Sequence, residues 1–442
     1  DSMSGSFENL DVPPTLVSFA ISPAECSDII SPEFKSAENS VYLFAAPYDQ
    51  DGLPVFSTVK NMWAKVHAYI KQGKIISAFA LTSGGLGEAV VKMSFGNNIG
   101  FELDPMIDVF EICRQNYGAI LAEAIEPLPG GFPVGKTLSK PVIKMKNCPQ
   151  LNLDALREKW EAPLSDIFPV SAKADSKLLK PSYPYRNTAR PLKANKPLAV
   201  IPVFPGTNCE YDTAHALEAA GGRADIKLVR NLTPDALRDC AAEIVKVLKN
   251  AQMLIIPGGF SGGDEPEGSG KFIVSFFRNP ALKDSVNELV NLKGGLVLGI
   301  CNGFQALIKL GLLPFGEIRD IDASCPTLTH NAIGLHRARY VTTRVASVKS
   351  PWLSKCSLDE LHTIPVSYGE GRFTASDKIL QGLICNGQIA FQYTDLEGNP
   401  SMHTRYNPAG SLCAIEGITS PDGRILGKMG HTERAGLFIS KN

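Results

Sequence analysis

From residue 198 onward, short apolar runs alternate with stretches whose apolar positions recur at helical spacing. Residues 198–204, 253–256 and 296–300 are rich in Leu, Val and Ile and lack polar alternation, and they read as strands buried on both faces. Residues 224–229, where Asp225 and Lys227 alternate with apolar residues, read as a further strand. Residues 210–220, 233–250, 269–278 and 280–292 read as helices, the second capped by Thr233 with Pro234 in its first turn. Strands alternating with helices predict an α/β fold, a doubly wound and mainly parallel sheet, whose ligands sit at the carboxyl ends of the strands. After Phe315 the rhythm shifts to short strands over 338–345, 361–366, 388–393, 412–418 and 425–429.

The first part of the chain reads differently. Strands are expected at 15–21, 40–45, 75–81 and 98–103, and helices at 54–70, 89–95 and 107–124. Residues 129–150 add strand and turn. This is an α+β block over residues 1–165. Residues 166–196 form a basic, Pro-rich, aperiodic linker, and residues 197–442 hold the α/β region. Within the first block, Ser83, Gly84 and Gly85 open a Gly-rich loop before a helix. Backbone N–H groups in such a loop can cradle phosphate. A tight turn with a hydroxyl cap fits the same residues.

The strand at 296–300 ends in Gly299, Ile300, Cys301, Asn302 and Gly303, with a helical pattern directly behind. Gly-x-Cys-x-Gly has the shape of a nucleophile elbow with Cys for Ser. Glycines let the backbone turn sharply, and a helix N-terminus favours thiolate over thiol. An inert core cysteine is the alternative. A Cys nucleophile needs a base, a group that orients the base, and oxyanion donors. Of seven histidines, His431 follows a strand, and Glu433 lies two residues on. A solvated surface turn would look the same. Oxyanion donors are expected from the N–H of Asn302 and from the loop holding Gly259 and Phe260. Gln305 shares a helix face with Cys301 and could hold a bound amide.

Composition narrows the picture. The chain has 442 residues, 44% hydrophobic and 20% charged, with net charge −1. That is ordinary for a soluble globular protein, and gives no bulk field for nucleic acid or an anionic membrane. No apolar run reaches a membrane helix, and no signal peptide is evident. Ten scattered cysteines without CxxC pairs point to a reducing cytoplasm and to no metal framework.

Residues 299–305, the upstream Pro257–Asp264 stretch and the Gly430–Arg434 turn resemble class I (triad) glutamine amidotransferases. Residues 204–209, 364–371 and 407–411 are similar to the glutaminase domain of phosphoribosylformylglycinamidine synthases in particular. Residues 1–165 resemble the second synthase-like (PurM C-terminal-like) half of the long, single-chain form. The resemblance implies that Cys301 attacks the glutamine carboxamide, with His431 as proton shuttle and Glu433 as its orienter. It implies no cofactor in the glutaminase domain. ATP and Mg2+ would serve synthase domains of the same polypeptide, which convert formylglycinamide ribonucleotide to its amidine with the released ammonia. Those domains are expected to precede Asp1. Glutamine backbone contacts are expected near residues 331–340, with Arg339 a candidate. Two other readings are an amidotransferase-like hydrolase or chaperone with a Cys elbow, and a non-catalytic docking role for residues 1–165. Asn302, where the first of these usually has His, counts against it.

Overall fold

The computed structural model describes residues 2–7, 10–108, 110–172, 178–187, 194–263 and 270–436. The chain divides into two compact units, Asp1–Ser165 and Asp166–Asn442.

The first unit is built on a seven-stranded sheet. Its spatial order is Ile75–Ala80, Ile120–Ala124, Ser40–Phe44, Phe132–Leu138, Gly100–Leu103, Val142–Lys144, Leu151–Asn152. All pairings are antiparallel except that of Gly100–Leu103 with Val142–Lys144. Helices Phe56–Lys71, Gly85–Asn97 and Leu153–Glu161 accompany it. Phe34 and Phe101 stack at 5.8 Å inside its core, with Met93 and Leu121 in the same cluster.

Two expectations fail here. Residues 107–124 do not form one helix. They hold a 3-10 turn, Glu111–Cys113, and the strand Ile120–Ala124. Gly118, at φ 84, breaks the helical path. Glu123 then sits fully buried, accepting from the Lys35 and Ser36 N–H groups and the Asn39 and Ser77 side chains. Central pairing in the sheet outweighs the helix propensity of Leu, Ala and Glu. The strand expected at 15–21 lies earlier, at Leu10–Leu16, in register with Ser2–Phe7. Phe19 and Ile21 lie outside it and are exposed.

The second unit carries a nine-stranded sheet. Its order is Arg223–Leu228, Leu198–Val203, Met253–Ile256, Leu296–Ile300, Ile425–Lys428, Ile415–Thr419, Ile389–Thr394, Arg337–Val345, Leu361–Tyr368. The first five pair in parallel and the rest antiparallel. The parallel half holds the strands expected at 198–204, 224–229, 253–256, 296–300 and 425–429, and the antiparallel half holds those expected at 338–345, 361–366 and 388–393. The strand expected at 412–418 starts only at Ile415, because Leu412–Ala414 form a 3-10 turn with Cys413 at φ 53. Residues 178–187 lie along this unit. Tyr183 exchanges backbone bonds with Ala346 and Val348, and Arg186 donates to the carbonyls of Leu353, Ser354 and Cys356. The buried Arg344 guanidinium donates to the Pro181 carbonyl and to Asp359. Residues 173–177 and 188–193 of the linker lie outside the described residues, as do residues 264–269. No helix among the described residues is long and apolar enough to cross a membrane.

Candidate active site

The strand Leu296–Ile300 delivers Cys301 to the sheet edge, and the helix Asn302–Lys309 starts at the next residue. Cys301 has φ 51 and ψ −105, a conformation L-residues rarely adopt. Such a residue costs on the order of 1–3 kcal/mol and persists only where its surroundings fix it. Here the Cys301 N–H donates to the Lys428 carbonyl (2.8 Å), and the Cys301 carbonyl accepts the Gln305 N–H (3.1 Å). Glycine makes the tight approach possible at Gly303, where a Cβ would lie 2.0 Å from the Ile256 carbonyl oxygen. The thiol is buried, with its Sγ 3.9 Å from the Ser367 carbonyl oxygen.

His431 follows the neighbouring strand Ile425–Lys428, and the 3-10 turn Thr432–Arg434 carries Glu433. The His431 Nδ1 is 2.6 Å from Glu433 Oε1, with both side chains almost wholly buried. The turn is held from several sides. The His431 N–H donates to the Pro365 carbonyl (2.9 Å), and the Gly430 N–H to the buried Glu416 carboxylate (2.6 Å). Burial pushes the Glu416 carboxyl up, against the pull of the Lys428 charge and the Gly430 N–H. His431 and Cys301 meet at Gly258. A methyl on Gly258 would lie 2.7 Å from His431 Cε1 and 3.4 Å from Cys301 Cβ.

A cavity of about 210 Å³ opens at the thiol, lined by Gly259, Phe260, Cys301, Gln305, His330, His336 and residues 367–370. Gln305 Nε2 donates to the Glu370 carbonyl (2.7 Å), and its Oε1 accepts from Asn302 Nδ2 (2.9 Å). Asn302 Oδ1 accepts the Ser261 N–H (3.2 Å), so one buried side chain ties the elbow helix to the loop after Gly259. Gly259, at φ 128, leaves no room for a side chain, because a Cβ would lie 2.6 Å from the Asn208 nitrogen. Its N–H takes no protein partner among the described residues. Phe260 N–H points elsewhere: it donates to the Gly206 carbonyl (2.8 Å), so it is not available as an oxyanion donor in this conformation.

Arg339 does not line the cavity. It is exposed on the strand Arg337–Val345 and donates to the Arg405 carbonyl (3.0 Å). The wall comes instead from His330, His336 and Glu370. Of these only His336 falls within the 331–340 stretch where glutamine contacts are expected, and His330 and Glu370 lie outside it. Asn331 organises them: its side chain donates to the carbonyls of Leu335 and Tyr368 and accepts the Gly371 N–H. A lone Asn beside a His was the available signal.

Ser83, Gly84 and Gly85 are far in kind from a phosphate cradle. The Gly84 N–H and the Thr82 hydroxyl both donate to Glu88 Oε2 (3.0 and 2.6 Å), and the Gly85 N–H to the Thr82 carbonyl. A carboxylate already caps this helix. Lys92, then Thr82, holds the Glu88 carboxyl below its ordinary range. The glycine at 85 answers to packing, since a Cβ there would lie 2.2 Å from the Arg114 carbonyl oxygen. The larger cavity of the first unit, about 920 Å³, is lined by neither a thiol nor an imidazole.

Residues 196–442 match the model of the CobB/CobQ-like glutamine amidotransferase domain. Subunit PurQ of phosphoribosylformylglycinamidine synthase from Methanococcus maripaludis is 35% identical over 238 residues, 53% of this chain and 81% of that protein. The subunit of the same name from Chlorobaculum tepidum is 35% identical over 235 residues, 53% of this chain and 87% of that protein. Among solved structures, PurLQS from Thermotoga maritima is 26% identical, covering 54% of this chain and 89% of that one, with a TM-score of 0.39.

Proposed function

The chain belongs to the CobB/CobQ-like glutamine amidotransferase family, and from that premise we propose that it hydrolyses glutamine to supply ammonia for phosphoribosylformylglycinamidine synthesis. One observation carries the reading. A buried His431–Glu433 pair and a strained Cys301 meet at Gly258, beside a cavity that Gln305 lines.

The thiolate of Cys301 attacks the glutamine side-chain carbonyl carbon, and a C–S bond forms. The carbonyl oxygen takes the negative charge and faces the N–H groups of Gly259 and Asn302. His431, having taken the thiol proton, returns it to the leaving nitrogen as the C–N bond breaks and ammonia departs. Glu433 fixes the ring tautomer and stabilises the imidazolium. Water then adds to the γ-glutamyl thioester, giving its proton to His431, and the C–S bond breaks to release glutamate and the thiol. No cofactor takes part in these steps.

Residues 197–442 act as the glutaminase, residues 166–196 as the joining segment and residues 1–165 as a synthase-like scaffold. The ammonia goes to synthase domains, in this reading on the same polypeptide, which use ATP and Mg2+. The setting is the cytoplasm. Glutamate release from glutamine by the 442-residue chain, with a γ-glutamyl adduct on Cys301 trapped by mass spectrometry, is the test. Cys301→Ala should abolish both. Glutamate release undiminished in that variant would overturn the assignment.

A further inference from the structure

We propose that Cys209 is a positioning residue for this reaction, joining the turn that carries the base to the loop that faces the oxyanion. The proposal rests on the glutaminase reading above.

Cys209 opens the helix Glu210–Ala219 in a left-handed conformation, φ 71, and its side chain is buried. Its sulfur accepts a hydrogen bond from Arg434 Nη2 (2.7 Å) and donates one to Asn208 Oδ1 (2.9 Å). Arg434 closes the 3-10 turn directly after Glu433, and its N–H donates to the His431 carbonyl (3.3 Å). The Cys209 sulfur, a His431 ring nitrogen and a Glu433 oxygen all lie within 4.8 Å of one another. On the other side, the Asn208 N–H donates to the Gly258 carbonyl (3.1 Å), and Gly258 abuts both His431 and Cys301. The path therefore closes on itself. It runs from the His431–Glu433 turn through Arg434, Cys209 and Asn208 to Gly258, and from Gly258 back to the His431 ring.

A neutral thiol suits both bonds, because it needs its proton for Asn208 and its lone pair for Arg434. Burial pushes the Cys209 thiol up and keeps it protonated, against the pull of the Arg434 charge. The same three ligand atoms are spaced for a metal ion, but a guanidinium already sits on the sulfur, and a cation would have to displace it. Cys209 touches no reacting atom. It acts by holding the base and the Gly258–Gly259 loop in one frame.

Cys209→Ala removes both bonds, and Cys209→Ser keeps a donor and an acceptor on a shorter bond. Both variants of the 442-residue chain are assayed for glutamate release, with thermal unfolding measured alongside. An ångström of misplacement costs catalysis roughly 100-fold, so kcat of the Ala variant should fall about 10- to 100-fold. KM for glutamine should stay within about twofold, because ground-state contacts are untouched. The Ser variant should recover most of kcat. Arg434→Lys, which keeps the charge but loses the geometry, should behave like the Ala variant. Wild-type kcat in Cys209→Ala, or equal loss in the Ala and Ser variants, would overturn the proposal. Either result leaves the glutaminase reading standing if Cys301→Ala is inactive.

Discussion

A single methyl at Gly258 tests the geometry of the nucleophile and base directly. Gly258 is buried at the end of the strand Met253–Ile256, and its φ is not left-handed, so alanine is compatible with its backbone. What alanine lacks is space. The added carbon would lie 2.7 Å from His431 Cε1 and 3.4 Å from Cys301 Cβ. Carbon atoms settle at about 3.5–4 Å, so the imidazole must retreat by roughly 1 Å. The ring cannot do so freely, because Nδ1 is bound to Glu433 and the backbone N–H to Pro365. A misplacement of that size costs about 100-fold in rate, which is about 2.7 kcal/mol of barrier. The overpacking itself should cost about 1–3 kcal/mol of stability. The assay is glutamate release at saturating glutamine, with thermal unfolding as the folding control. We expect a folded variant with kcat down about 100-fold and KM little changed. A folded Gly258→Ala protein with wild-type kcat would refute the placement of His431 against Cys301.

Other perturbations follow from the same contacts. Asn302→Ala leaves the Ser261 N–H and one face of Gln305 unpaired in a buried site, and should cost about 1–3 kcal/mol in denaturant melts. KM for glutamine should also rise as Gln305 loosens. Gly303→Ala drives a Cβ onto the Ile256 carbonyl oxygen, a backbone clash that no rotamer relieves, and should prevent recovery of folded protein on expression. Arg344→Ala removes the buried guanidinium that holds the Pro181 carbonyl and the buried Gln392 amide, while its charge partner Asp359 is half exposed and rehydrates, and it should lower stability by about 1–3 kcal/mol in the same melts. Glu88→Gln tests the self-capped loop through pH. The Glu88 carboxyl is held below its ordinary value, so its contribution is present above pH ~4.5 and is lost as pH falls through the lowered value. The wild type should be more stable than Glu88→Gln at neutral pH by up to about 1 kcal/mol in denaturant melts, and the two should converge in acid.

The elbow and the parallel strands were legible because their signals are local. Apolar runs such as Leu296–Ile300 end in glycines whose close contacts the fold demands, and Gly299 and Gly303 mark the corner from sequence alone. The strand Ile120–Ala124 was not legible. Its residues favour a helix, and what decides the matter is Glu123, a buried acceptor for four donors that are 46 to 88 positions away. No window of sequence carries that information. The oxyanion loop was half legible for the same reason: its glycines were visible, but the pairing of the Phe260 N–H with the Gly206 carbonyl is a contact between distant turns.

The division of the sheet explains why the site lies where it does. Parallel strands all present their carboxyl ends to one edge, so Met253–Ile256, Leu296–Ile300 and Ile425–Lys428 bring Gly258, Cys301 and His431 out side by side. Such an edge alone is open to water. The antiparallel half supplies the wall. Leu361–Tyr368 ends in Ser367 and Tyr368, which line the cavity, and the following Gly369 and Glu370 continue it. The hydroxyls of Tyr368 and Tyr393 meet at 2.7 Å within this wall, and burial pushes both well above the usual tyrosine range. Both hydroxyls therefore keep their protons at neutral pH and can share the hydrogen bond between them. Chemistry therefore comes from strands that run together, and enclosure from strands that run against one another. The Ile425–Lys428 strand is the seam, pairing in parallel with the elbow strand on one side and antiparallel with Ile415–Thr419 on the other. The base sits directly after that seam, where one residue's displacement reaches both the nucleophile and the wall.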